Sequence, residues 1–372
     1  DGEFNTASWN SSYTGQPITA EEMREFVDHS VQRILDLKPR RVLEIGCGTG
    51  LLLVRIAPHC EHFTGADFAQ GALKGLQRFV DRMSPKLGSV ALLHRGAEDF
   101  TGIEPGSHDT VVINSVLQHF PTVDYLVKVL EGAVATVGEH GRVFVGDVRS
   151  LSLLESFALS VELFRARDTL PLEQLSQAVR RRVSLDNELV VDPAFFLALR
   201  AHLPRIHRVD LWPKRGQHHN ELTCFRYDVV LHVGGAAEAV DPYAGTVLDW
   251  KRDGLTLAKL RRRLEAERPE QLAVTRIPNA RLTEVRRARE ILERDERPTT
   301  VGELRAELRG QPEPDCVNPE ELWALEAELP YAVSLHWSGG EEDGAFELRL
   351  LRQGAVAPPL APSTERAFVA KP

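Results

Sequence analysis

The chain has 372 residues, with 45 Lys and Arg against 54 Asp and Glu and a formal net charge of −9. That length suggests about two domains at roughly 150 residues each. The acidic balance argues against a general nucleic-acid binder, and no apolar run approaches the ~18–20 residues of a membrane span. Residues 1–20 read as an extended polar and aromatic arm. Thr19, with Glu22 three residues on, marks the start of a helix that keeps apolar period to Leu37. Arg41–Ile45 then reads as a strand, followed by the turn Gly46-Cys-Gly48-Thr-Gly50 and a helical run over Leu51–Ile56. Further strands are predicted at His62–Asp67, Val90–His94, Thr110–Asn114 and Arg142–Val148, with helices at Ala69–Arg82 and Val123–Val137. This alternation predicts an α/β fold, a doubly wound parallel sheet with helices on both faces.

The alternation stops near 150. Residues 151–203 carry helical signals only and read as an insertion, with Arg180–Arg182 and Asp186–Glu188 as charged stretches. Ile206–Trp212 and Cys224–Val233 read as two β-runs joined by a polar turn, suited to an antiparallel pair closing one sheet edge. Small residues over 234–247 signal a linker. Beyond it, helices are expected at Leu255–Glu265, Leu282–Arg294, Val301–Leu308 and Pro319–Ala327, and strands at Tyr331–Trp337 and Ala345–Leu351 across a Gly339-Gly340 turn. The expected organisation is an arm and lid helix over 1–38, a core over 39–236, a small α+β domain over 248–353 and a linker over 354–372. The non-Met start and Pro/Ala-rich end predict a segment of a larger polypeptide. Four scattered cysteines without a CxxC pair fit a reducing cytoplasm and speak against a disulfide framework or structural zinc.

The glycine turn carries the chemistry. Dinucleotide sheets use GxGxxG to seat a pyrophosphate at a helix N-terminus. Here the glycines run GxGxG, and Glu44 places a carboxylate at the end of the strand. A cationic ligand without phosphates suits that acid, so S-adenosylmethionine fits better than NAD. Asp67 ends the second strand about 20 residues on, where a carboxylate takes ribose hydroxyls. Glu98 and Asp99 follow the third strand, placed to accept from an adenine amino group. Asn114 ends the fourth strand and faces the same crevice.

These residues carry a resemblance to the methyltransferase domains embedded in nonribosomal peptide synthetases and modular polyketide synthases. Val42–Gly50 resembles the family's first motif, VL(E/D)xGxGxG. Asn220–Val230 is similar to its second, NELSxYRYxAV, and Val333–Leu348 resembles the third loosely. The arm Trp9–Pro17 is similar to that of these domains. The resemblance implies a class I methyltransferase sheet and S-adenosylmethionine as cofactor. It implies a substrate tethered to a carrier protein and neighbouring megasynthase domains as partners. N-methylation of an aminoacyl thioester is favoured over O-methylation of a polyketide hydroxyl.

Acceptor-side candidates lie past the strand ends. His119 lies just beyond the fourth strand, and histidine as a residue type suits a general base near neutral pH. Glu221 is a second candidate, to orient a histidine or hold an acceptor ammonium, with His219 and Asn220 beside it. Arg149 and Asp147 border the crevice after the fifth strand. Tyr13 and Gln16 are placed to close over the cofactor as a lid. No metal site is expected. Two rival readings are a nicotinamide dehydrogenase, which would need GxGxxG, and a non-catalytic cofactor-binding scaffold.

Overall fold

The computed structural model describes residues 9–84, 86–235, 245–309, 316–337 and 344–355. The expected Gly339-Gly340 turn, most of the 234–247 linker and nearly all of the 354–372 segment lie outside them.

Helix α1 (Ala20–Asp36) starts on the expected capping box, in which Thr19 and Glu22 satisfy each other's backbone N–H groups. It leads into β1 (Arg41–Ile45), α2 (Leu53–Ile56), β2 (His62–Asp67), α3 (Gln70–Met83), β3 (Val90–His94), β4 (His108–Asn114), α4 (Val123–Thr136) and β5 (Val137–Arg149). The insertion follows as α5 (Leu154–Arg165), α6 (Leu172–Leu185) and α7 (Pro193–His202). The chain returns through β6 (Ile206–Pro213), α8 (Glu221–Phe225) and β7 (Arg226–Val233).

These seven strands form one sheet in the order β3-β2-β1-β4-β5-β7-β6. The first five are parallel, while β7 runs antiparallel to both β5 and β6. The α/β doubly wound expectation is therefore met, with the antiparallel pair at one edge. The expected turn between those last two strands instead contains α8. Side chains alternate between faces along each strand. Val42, Phe63, Val112, Phe144 and Val230 join α1 and α3 in one apolar cluster. Leu43, Val111, Ile113, Val143, Val145 and Leu231 join α4 and the insertion in the other. With both faces covered, the central strands are largely apolar, and Glu44 interrupts β1. Chain order reverses between β1 and β4, which opens a crevice at their carboxyl ends.

A second sheet, of four strands, has the order β10-β11-β9-β8, with β8 (Thr246–Asp249), β9 (Gln271–Ile277), β10 (Tyr331–Trp337) and β11 (Phe346–Arg352). The sequence reading places β8 at the end of a linker and assigns nothing to β9. Helices α9 (Leu257–Glu267), α10 (Thr283–Leu292), α11 (Val301–Leu308), α12 (Pro319–Trp323) and α13 (Leu325–Glu328) complete the chain. Two of them do not stay with this sheet. Leu282, Val285, Ala288 and Ile291 around α10, with Val301 and Leu304 of α11, pack into the core shared with the insertion. Among the described residues no helix is long and apolar enough to cross a membrane.

Candidate active site

The first half of the site is built at the end of β1. Gly46, Gly48 and Gly50 all have positive φ, at 77°, 52° and 86°. A Cβ on Gly46 would fall 2.3 Å from Val116, so β1 and the segment after β4 approach too closely for any side chain. A Cβ on Gly48 would meet nothing within 4 Å among the described residues, so the turn faces open space. Asp67 fixes the turn from β2: its Oδ2 accepts from the Gly48 N–H at 2.8 Å and its Oδ1 from the Ala69 N–H at 2.7 Å.

Glu44 lies beneath the turn, buried, with Oε2 unpartnered among the described residues. Burial, reinforced by the nearby Asp67 charge, pushes its carboxyl up to about 8. A buried carboxylate without a cation is costly. The donor set therefore fits a positively charged ligand better than a phosphate. Asn114, at the end of β4, donates to Ser115 Oγ at 3.0 Å and leaves its own buried Oδ1 unpartnered among the described residues. The two acids after β3 are less free. Glu98 accepts from the Tyr125 hydroxyl, and Asp99 closes a turn by accepting from the Thr101 N–H at 3.0 Å.

The second half is a cavity of about 860 Å³. Trp9, Asn10, Ser12 and Ile18 of the arm line one side, and Ser115, Gln118 and His119 form another. Arg149, Glu221 and Arg226 close the sheet side, and α5, α6 and the loop after α6 close the rest. His119 ends a short 3₁₀ turn, Leu117–His119, and is exposed. Glu221 is 5% exposed. Its Oε2 accepts from the Ser12 N–H at 2.6 Å and its Oε1 from the Ser12 hydroxyl at 2.9 Å. Arg226 lies 3.8 Å from Glu221 and donates to Asp147 at 2.7 Å.

Asp147 is fully buried at a bulge in β5 and has φ 64°. That conformation is strained for a non-glycine residue. Its backbone N–H donates to Asp228, which also accepts from Lys214 and Arg33. The bulge thus rests on a buried charge network directly behind the cavity wall. Arg149 grips Asp186 at 2.6 and 2.9 Å and Glu188 at 2.8 Å, tying the loop after α6 to the end of β5.

The remaining sequence candidates sit elsewhere. Asn220 caps α8, accepting from the Leu222 and Thr223 N–H groups, and donates to Glu22 at 3.0 Å. His219 is 3.1 Å from Asn318 Nδ2, toward α12, and burial with the Arg281 charge holds its pKa down. His218 bonds Glu25 at 2.9 Å. None of these three is among the described residues lining the cavity. Capping explains the split, because Asn220 spends its side chain on the helix end while the next residue turns Glu221 inward. Tyr13 anchors the arm to α5. Its hydroxyl lies 2.9 Å from Ser160 Oγ, and its ring meets Phe164 edge-on at 5.5 Å. Gln16 is exposed, and its carbonyl accepts from the Ser11 N–H.

Three cavity features carry no role in the sequence reading: Ser12, Arg226 and the Arg182–Glu162 pair at 2.6 Å. Arg226 lies inside the second motif block, so its position was visible although its role was not.

A family model described as a methyltransferase domain matches residues 43–143. Chondramide synthase of Chondromyces crocatus is 43% identical over 366 residues, which cover 97% of this chain and 9% of that protein. The nonribosomal peptide synthetase asqK of Emericella nidulans is 36% identical over 232 residues, 62% of this chain and 9% of that protein. The chain therefore spans about a tenth of these relatives' own length. Among solved structures, the N-methyltransferase NodS from Bradyrhizobium japonicum with S-adenosyl-L-homocysteine is 15% identical, covering 61% of this chain and 100% of NodS with a TM-score of 0.40.

Proposed function

We propose that the chain, an S-adenosylmethionine-dependent methyltransferase domain related to nonribosomal peptide synthetases, methylates the α-amino nitrogen of an aminoacyl thioester held on a carrier protein. Kinship with synthetases whose business is peptides favours an amino acid as acceptor. One observation carries the choice of nitrogen: the cavity's sheet side presents the carboxylate of Glu221, held at both oxygens by Ser12.

When bound, S-adenosylmethionine supplies an electrophilic methyl group on a cationic sulfur. Glu44, Asp67, the Gly48 turn and Asn114 would hold it. The chain's own task is to present a nitrogen lone pair at the end of β4. An α-amine arrives largely as ammonium at neutral pH. A carboxylate offers about four lone-pair sites, so Glu221 can accept from an ammonium beside the two Ser12 bonds. His119, across the cavity, takes the proton that frees the lone pair. Exposed to solvent, His119 releases that proton to water and is then free to take one from the methylated ammonium. Held orientation and exclusion of water by the arm supply the rest of the advantage.

The test is intact-mass analysis of carrier proteins loaded with an aminoacyl or a β-hydroxyacyl group, after incubation with the domain and cofactor. A 14-dalton gain (about one CH₂ equivalent) on the aminoacyl carrier alone is expected. The same gain on the hydroxyacyl carrier alone overturns the choice of nitrogen in favour of oxygen.

A further inference from the structure

The proposed amine site accounts for only part of the cavity. A volume of about 860 Å³ lies near the top of the roughly 300–1,000 Å³ range of small-molecule pockets. An aminoacyl group alone would leave most of it unfilled. The wall's charges are also unevenly paired. Four arginines line the cavity. Arg149 is paired with Asp186 and Glu188, Arg182 with Glu162, and Arg226 with Asp147. Arg181 is exposed and has no hydrogen bond or ion pair from its side chain among the described residues.

Its place on α6 explains why. Leu172 and Leu175 face the core. Ala178, Arg181 and Leu185, spaced three and four apart, fall on one stripe that faces the cavity instead. Leu185 is 68% exposed. This stripe joins an unpaired guanidinium to bare apolar surface. Asn10 and Asn187 line the same cavity.

We propose that Arg181 binds the phosphate of the phosphopantetheine arm that carries the substrate, with the arm's amide-bearing chain filling the cavity between Arg181 and Glu221. The planar guanidinium fork matches phosphate oxygens in a way an ammonium does not. A long acyl chain without an anion would leave Arg181 without a role. This inference rests on the carrier-tethered reading above.

The experiment compares one aminoacyl group on three supports: phosphopantetheine, pantetheine lacking the phosphate, and the free amino acid. In the wild type, KM should be about two- to fivefold lower with the phosphate than without it, at similar kcat. Arg181→Gln should erase that difference, and Arg181→Lys should recover part of it. Arg180→Gln, at a residue lying 3.8 Å from Glu173, should preserve it. Arm-borne substrates preferred by the wild type, with the phosphate preference intact in Arg181→Gln, overturn the assignment to Arg181 alone. A wild type indifferent to the phosphate overturns the phosphate site. Free amino acid used as well as either arm-borne form overturns the carrier reading and this inference with it.

Discussion

The two halves of the site are made in different ways. The cofactor half is local: Glu44, Gly46, Gly48 and Gly50 lie within seven residues, and Asp67 reaches Gly48 from the neighbouring strand, 19 residues on. The acceptor half is assembled from afar. Ser12 meets Glu221 across 209 residues of chain, and Arg149 meets Asp186 across 37. A strand-turn-helix can be fixed by its own steric demands. A cavity between an arm, an insertion and a sheet edge exists only once all three have packed. The first half can therefore stay constant in chemistry while the second is altered to suit an acceptor, and substitutions should separate them.

The largest separation is expected at Glu221. Glu221→Gln keeps the shape but removes the charge that faces the acceptor. We expect kcat/KM to fall by about 10²–10³, with S-adenosylhomocysteine affinity, measured by calorimetry, within about twofold of wild type. His119→Ala should cost less, about tenfold, because an α-amine also loses its proton to water near neutral pH. A steep loss at His119 with a mild one at Glu221 would reverse their roles and point to oxygen. A Glu221 variant that also lost cofactor would break the division into halves.

A smaller effect, confined to the other half, is expected at Glu44. Its carboxyl is raised from 4.5 to about 8 in the folded protein. The folded state thus holds this proton more tightly than the unfolded chain does. The group's contribution to stability is full below about 4.5 and is lost as pH rises to about 8. Glu44→Gln should therefore raise the Tm of the cofactor-free protein at pH 8 and leave it little changed at pH 4.5. The same variant should weaken cofactor binding by about 10–150-fold at pH 8.5, the loss of a hydrogen bond to a charged group. Wild-type binding should release a proton below pH 8, read from heats in buffers of different ionisation enthalpy, and the variant should not. Equal proton release by both proteins would remove Glu44 from the cation site.

The same division sets what the sequence disclosed. β1, β2 and β3 match their expected spans end to end, because buried parallel strands are short apolar runs punctuated by turns. β9 escaped because Gln271–Ile277 is a short run between Arg-rich segments, and β8 because Thr246–Asp249 is too brief to show a period. Nothing in the helical period of α10 says that it packs beside the insertion rather than with its own sheet. Motif spacing singled out Glu44, the glycines and Asp67, and the structure brings them together. It also singled out Glu221 and Asn220 as neighbours, yet could not tell that a cap would turn one outward and the other into the cavity. Ser12 lies inside the Trp9–Pro17 stretch but was not singled out, since a serine in a polar arm acquires meaning only from the partner it meets.

Ser12 is where the smallest effect, and the finest distinction, is expected. Its hydroxyl and N–H hold both oxygens of Glu221, and the arm is tied down separately by Tyr13 to Ser160 and Arg165. Ser12→Ala deletes one of the two bonds and leaves the arm's other anchors in place. One net hydrogen bond is worth about 0.5–1.5 kcal/mol, or roughly two- to tenfold in binding. The carboxylate has lone pairs to spare, so Ser12 and an acceptor ammonium need not compete. Losing the hydroxyl should then loosen the carboxylate and raise acceptor KM by that two- to tenfold, with kcat and cofactor affinity unchanged. A fall in KM would carry the opposite meaning: Ser12 would be occupying the oxygens that the acceptor needs, and the arm would be a gate to be displaced. An equal loss for acceptor and cofactor would mean that the arm organises both halves at once, and that the two halves are joined through it.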